Sequence, residues 1–152
     1  MNTSIPGFET VLFHKERGIA HVTLNRPRVF NIYNIQMRDE LWEILLAIRD
    51  DPEIKAVILD GAGDKAFCAG ADLTEFGTAP SQTIARRVRF ERGIWELWLS
   101  IPKPFICCLH GYVLGSGLEM ALFCDIRLAS VDAVFSLPEL SLGLIPGAGA
   151  SQ

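Results

Sequence analysis

Two short, uninterrupted apolar runs, Lys55-Ala56-Val57-Ile58-Leu59-Asp60 and Phe105-Ile106-Cys107-Cys108-Leu109, restrict this chain more than any other feature. Continuous rather than alternating hydrophobicity over so few residues belongs to strands covered on both faces, and crossover helices supply that cover in parallel sheets. The break Gly61-Ala62-Gly63-Asp64 ends the first run. Suitable helices lie nearby. From Asn34, an N-cap, residues Met37, Leu41, Ile44, Leu45 and Ile48 recur at helical spacing until Asp51-Pro52 closes a helix of about four turns. Ser81 can cap a second long helix in which Ile84, Val88, Trp95 and Trp98 share one face, ended by Ile101-Pro102-Lys103-Pro104. Both tryptophans read as core.

Ahead of these elements, residues 10–16 and 19–24 are β-branched runs joined at Glu16-Arg17-Gly18, a hairpin that Asn25-Arg26-Pro27 terminates. Beyond the second apolar run, residues 111–117 are glycine-rich, 118–123 read helical and 125–129 extended. The order β-β-α-β-α-β-α-β predicts an α/β fold with crossover connections. No internal repeat or low-complexity linker interrupts it.

A chain of 152 residues fits one domain and can hide about two-thirds of its unfolded surface. With 49% hydrophobic and 21% charged residues it is an ordinary globular composition, not a disordered, coiled-coil or collagen one. A net charge of −4 without a basic stripe argues against a nucleic-acid partner. No apolar stretch reaches the roughly 18 residues of a membrane span, and the start Met1-Asn2-Thr3-Ser4-Ile5-Pro6 is not a basic-then-apolar leader. Cys68, Cys107, Cys108 and Cys124 show no C-x-x-C spacing and read as reduced core thiols, which fits a cytoplasmic setting. No ligand cluster suggests a metal or redox cofactor, so none is expected. The sequence runs out at Gly147-Ala148-Gly149-Ala150-Ser151-Gln152, a glycine-rich turn with the character of the start of another helix. Residues 1–152 are therefore read as one core domain and as a fragment of a longer chain.

Four stretches could carry chemistry. Phe67-Cys68-Ala69-Gly70-Ala71-Asp72-Leu73 closely follows a strand, and its small residues would let a ligand approach backbone N–H groups; a plain βα turn explains it equally well. His110-Gly111-Tyr112-Val113-Leu114-Gly115-Ser116-Gly117-Leu118-Glu119 sets two glycines and a serine where free N–H groups and the helix dipole can hold an oxyanion. It is neither a nucleotide fingerprint nor a nucleophile elbow, so phosphate-loop and Ser/His/Asp chemistry are not indicated. Glu119 stands among apolar residues and risks burial, although a solvated first-turn glutamate is the plainer alternative. Glu139, alone after Pro138, reads by itself as an exposed turn residue, and His110, His14 and His21 read as structural.

Together these pieces resemble the crotonase (enoyl-CoA hydratase/isomerase) superfamily over nearly the whole chain. The resemblance is carried by Leu24-Asn25-Arg26-Pro27 with Asn31, the two stretches just quoted, Cys124-Asp125-Ile126-Arg127-Leu128-Ala129, and Pro138-Glu139 with Gly143-Leu144-Ile145-Pro146-Gly147. Each is weak alone; their joint order and spacing is specific. The resemblance implies a spiral of ββα units, here as an N-terminal core with the C-terminal helical part missing, and assembly of the full-length protein as a homotrimer or hexamer. It implies an acyl-CoA thioester ligand, with coenzyme A as part of the substrate.

By resemblance, the N–H groups of Ala71 and Ser116 form the oxyanion hole; Ser116 stands where the family usually has glycine, which an N–H donor tolerates. Arg28, Ala69, Gly70, Ala71, Asp72, Leu73, Thr74, Gly115 and Gly147 fall at substrate-binding positions, with Arg28 near the phosphates. Glu119 and Glu139, twenty positions apart, match the paired glutamates of hydratases, whereas many isomerases, dehalogenases and decarboxylases of the superfamily lack one. The implied reaction is hydration of an α,β-unsaturated acyl-CoA to the 3-hydroxyacyl-CoA. Glu119 would activate the water, Glu139 would exchange the α-carbon proton, and fixed donors would stabilise the enolate oxygen. Double-bond isomerisation, hydration of a cyclic dienoyl thioester and hydrolytic C–C cleavage are the alternatives on the same scaffold. A non-catalytic or RNA-binding relative is the alternative of another class.

Overall fold

A computed structural model of the chain describes residues 7–150, apart from the side chain of Arg89; Ser151 and Gln152 of the final turn lie outside the described residues. The hairpin forms as expected. Strands β1 (Val11–Glu16) and β2 (Ile19–Leu24) pair antiparallel with His14 opposite His21, and Arg17 and Gly18 turn the chain with φ of +50° and +81°. Helix α1 (Ile35–Asp50) starts where the Asn34 side chain accepts the Met37 N–H at 2.9 Å, and it buries Met37, Leu41, Ile44, Leu45 and Ile48.

From there the chain winds in a spiral. Strands β3 (Ala56–Gly61), β5 (Phe105–Leu109) and β7 (Ile126–Ala129) add in parallel to the hairpin, giving a five-stranded sheet of order β1-β2-β3-β5-β7. After each of these three, a three-residue strand enters a second, parallel sheet: β4 (Ala66–Cys68), β6 (Tyr112–Leu114) and β8 (Val134–Ser136). A helical segment then leads back: α2 (Gln82–Glu91) with α3 (Ile94–Leu99), α4 (Ser116–Phe123), and a 3-10 turn over Pro138–Leu142. This is the expected ββα spiral. The three short strands had no signal of their own in the sequence, being too brief to show a period of two.

Two further expectations need correction. The apolar runs are not covered equally on both sides: Val57, Leu59, Phe105, Cys107 and Leu109 are buried, while Ile58, Ile106 and Cys108 are only partly covered. The single long helix is two, because Gly93 at the junction is non-helical (φ −72°, ψ 88°) and lets α3 turn inward. Trp98, Leu97 and Ile94 are consequently buried, whereas Ile84 on α2 is exposed.

The buried core joins the inward face of the large sheet to α1, α3 and α4. All four cysteines are free, and burial pushes the Cys68 thiol up to about 11, against smaller opposing contributions from the Gly70 and Tyr33 backbone. Among the described residues, no helix is long and apolar enough to cross a membrane.

One buried carboxylate ties α1 to β1. Glu40, 7% exposed, accepts hydrogen bonds from the N–H groups of Glu9, Thr10 and Val11, from the Thr10 hydroxyl and from Gln36. Burial pushes its carboxyl up, but these donors outweigh it and hold the carboxyl below its ordinary 4.5. A lowered folded value stabilises the fold above the unfolded pKa, and that contribution is lost as pH falls through the folded one. Glu40→Gln is therefore expected to cost about 2 kcal/mol at neutral pH. The deficit relative to wild type should shrink below pH 4.5 in urea denaturation, and a pH-independent deficit would refute the assignment.

Candidate active site

The loop after β4 is held by backbone contacts that leave the Ala71 N–H free. Tyr33 N–H donates to the Gly70 carbonyl at 2.8 Å, and the Tyr33 carbonyl accepts Asp72 N–H at 2.8 Å. In such a parallel bridge the intervening residue, Ala71, directs its own N–H away from Tyr33. Ala69 N–H is spent on the Phe30 carbonyl at 3.0 Å.

The second free N–H comes from the start of α4. Gly115 adopts φ +49° and ψ −122°, a conformation that side chains disfavour, and donates its N–H to Ser136 at 3.0 Å. That turn presents Ser116 as the first residue of α4, at the positive end of its dipole. Among the described residues neither Ala71 N–H nor Ser116 N–H meets a protein acceptor. Gly117 makes the approach of α4 to β4 possible, because a Cβ there would collide with the Cys68 carbonyl oxygen.

Both N–H groups belong to residues lining one cavity of about 1120 Å³, and so do Glu119 and Glu139. Glu119 is 3% exposed, and its Oε1 accepts Ala148 N–H at 2.6 Å. It is not the solvated first-turn glutamate of the plainer reading. Glu139 sits in the first turn of the 138–142 segment, half-buried, with Oε2 shielded from water and without a hydrogen bond among the described residues. Its Oε1 lies 2.8 Å from where a Gly115 Cβ would stand. A buried carboxylate oxygen without a hydrogen-bond partner, in a residue that lines the cavity, is an unsettled charge at the edge of the site.

Ala69, Gly70, Leu73, Gly115 and Gly147 line the same cavity. Asp72 and Thr74 do not reach it. The Asp72 carboxylate turns back to the Thr74 hydroxyl at 2.6 Å, the Thr74 N–H at 3.2 Å and Arg26 at 3.3 Å. The Thr74 hydroxyl above all, with its N–H and Arg26, holds Asp72 below the usual carboxylate range against the opposing effect of burial. Arg28 is exposed and borders a separate cleft of about 140 Å³ with Phe30, Asn31 and Lys65. Tyr33, Ile94 and Trp95 also wall the cavity, with no local pattern to mark them; Trp95, read as core, is only partly buried. His110 stays outside it.

A ββα spiral that brings two free N–H groups and two carboxylates to one cavity has the architecture of the crotonase fold. The family model for enoyl-CoA hydratase/isomerase matches residues 14–152, and the chain belongs to that family. YngF of Bacillus subtilis is 41% identical over 145 residues, 95% of this chain and 56% of that one. The short-chain-enoyl-CoA hydratase of Clostridium acetobutylicum is 40% identical over 144 residues, 93% of this chain and 54% of its own length. The crystal structure of an enoyl-CoA hydratase from Bacillus anthracis superposes with a TM-score of 0.84 at 36% identity, covering 94% of this chain and 56% of that one. The chain thus spans about half the length of the relatives it matches.

Proposed function

We propose that this site hydrates an α,β-unsaturated acyl-CoA thioester to the 3-hydroxyacyl-CoA. The observation that carries the reading is that Glu119, Glu139, Ala71 and Ser116 all line one cavity, the last two with free N–H groups. The thioester oxygen would lie against the two N–H groups. Water held by Glu119 adds its oxygen to the β-carbon while its proton passes to the carboxylate. The π electrons move toward the thioester, building charge on the oxygen; Glu139, protonated at the outset, donates its proton to the α-carbon, and transfer of the proton from Glu119 back to Glu139 through solvent resets the pair. Donors fixed beforehand typically contribute about 3–4 kcal/mol to stabilising such an oxyanion. Isomerisation moves one proton between two carbons and needs no base for water, so the buried second carboxylate, Glu119, favours hydration. The reaction calls for no cofactor beyond the coenzyme A of the substrate. A trimeric or hexameric assembly belongs to the same proposal, as does an enoyl-CoA substrate like that of the Clostridium acetobutylicum short-chain-enoyl-CoA hydratase.

The test is to mix the protein with crotonyl-CoA and follow the absorbance of the conjugated thioester. Loss of the absorbance with formation of 3-hydroxybutyryl-CoA is expected. Binding without any loss would reject hydration.

A further inference from the structure

Two thiols meet where α4 ends, and neither lines the cavity. Cys107 is a buried residue of β5, and Cys124 is the residue that closes α4. Cys124 Sγ lies 3.5 Å from the Met120 carbonyl oxygen. Cys107 Sγ stands 3.9 Å from the next carbonyl, that of Ala121, and 3.6 Å from that of Ile126. The two sulfurs are themselves hydrogen-bonded, with Cys124 donating. Arg127 of β7 reaches the same place, its Nη1 donating to the Ala121 carbonyl at 3.2 Å and to that of Cys124. The Cys124 S–H above all, helped by the Arg127 guanidinium, draws the Cys107 thiol below its ordinary 9.0 against the opposing effect of burial. Cys124 keeps its proton, because its bond to Cys107 and then burial push its own thiol up.

We propose that Cys107 and Cys124 form a dithiol that a hydroperoxide oxidises to a disulfide, Cys107 attacking and Cys124 resolving. The Cys107 sulfur takes one oxygen of the peroxide as the O–O bond breaks and hydroxide leaves, giving a sulfenic acid. The Cys124 sulfur then displaces a second hydroxide from it, and the protons of the two thiols turn both hydroxides into water. The sulfurs lose the electron pair that the peroxide gains. Geometry selects the partners. Cys108 adjoins Cys107 in sequence but points to the opposite face of β5, and burial, then Asp60 and Cys107, push its thiol up. Cys68 is wholly buried on β4 with its thiol raised to about 11. Access comes from the sheet edge. Leu122, Asp125 and all of β7 are exposed around the pair, so local opening of one short strand admits a molecule scarcely larger than water.

The test treats folded protein with hydrogen peroxide, quenches with catalase and denatures in N-ethylmaleimide. Alkylated thiols should fall from four to about two, and dithiothreitol added before alkylation should restore them. Proteolysis between Cys108 and Cys124 should leave two fragments joined through Cys107 and Cys124. In Cys124→Ser the reaction should stop at a sulfenic acid on Cys107, captured by dimedone, whereas Cys108→Ser should oxidise as wild type does. Four thiols still free in treated wild type, a bond that includes Cys108 or Cys68, or oxidation of Cys107 that dithiothreitol does not reverse would overturn the assignment.

Discussion

Glu119→Gln is expected to lower kcat for crotonyl-CoA hydration by on the order of a thousandfold, with KM changed only a few-fold. The substitution keeps the volume of a residue that is 3% exposed, and its amide oxygen can still accept the 2.6 Å bond from Ala148 N–H. What disappears is the capacity to take a proton from water. Glu139→Gln should reduce the rate to a similar extent, and the double variant should fall little further, because two groups acting in one step are not additive. The two roles separate in deuterated water. Exchange of the α-hydrogens of butyryl-CoA, read by mass spectrometry, should survive in Glu119→Gln and vanish in Glu139→Gln. Retention of more than about a tenth of wild-type kcat in Glu119→Gln would remove it from the chemistry.

The elements that the sequence made legible are those set by contacts close along the chain. The Arg17-Gly18 turn, the Asn34 cap and the apolar stripe of α1 each rest on residues within a few positions of one another. The strands β4, β6 and β8 do not: each has three residues and is defined by pairing with a partner more than twenty positions away. The break at Gly93 was visible as a residue, but its consequence, the inward turn of α3, depends on the packing of Trp98 against Phe105. At the site the contrast is sharper. Nothing local distinguishes Glu139 from an exposed turn glutamate, and its importance comes from the spiral setting it beside Gly115. Family resemblance supplied that juxtaposition where local physics could not. Conversely, Trp95 has the composition of a core residue, and only the fold turns one side of it toward a cavity. Asp72 shows the opposite case, a residue at a binding position whose carboxylate is occupied by Thr74 and Arg26 in holding the loop.

Gly115 is the single point at which both halves of the site meet, and Gly115→Ala should therefore cost at least about a hundredfold in kcat while leaving the protein folded. Its backbone, at φ +49° and ψ −122°, is one that an alanine adopts only under strain of about 1–3 kcal/mol. The added Cβ would also stand 2.8 Å from Glu139 Oε1 and 3.6 Å from the Gly70 Cα. Glu139 is the softer neighbour and would swing away first, carrying off the proposed donor to the α-carbon. If the backbone relaxed instead, the peptide that presents Ser116 N–H would rotate and the distance between the two proposed oxyanion donors would change. Either response damages catalysis, and misplacement by about 1 Å is enough to lose two orders of magnitude. Gly117→Ala, two residues along, is the control. There the new Cβ meets the Cys68 backbone, which cannot yield, so the expected loss is in thermal stability. A Gly115→Ala protein with wild-type kcat would show that neither Glu139 nor the Ser116 N–H is held where the reaction needs it, whereas a large fall in kcat with only a modest fall in Tm would tie both to this one turn.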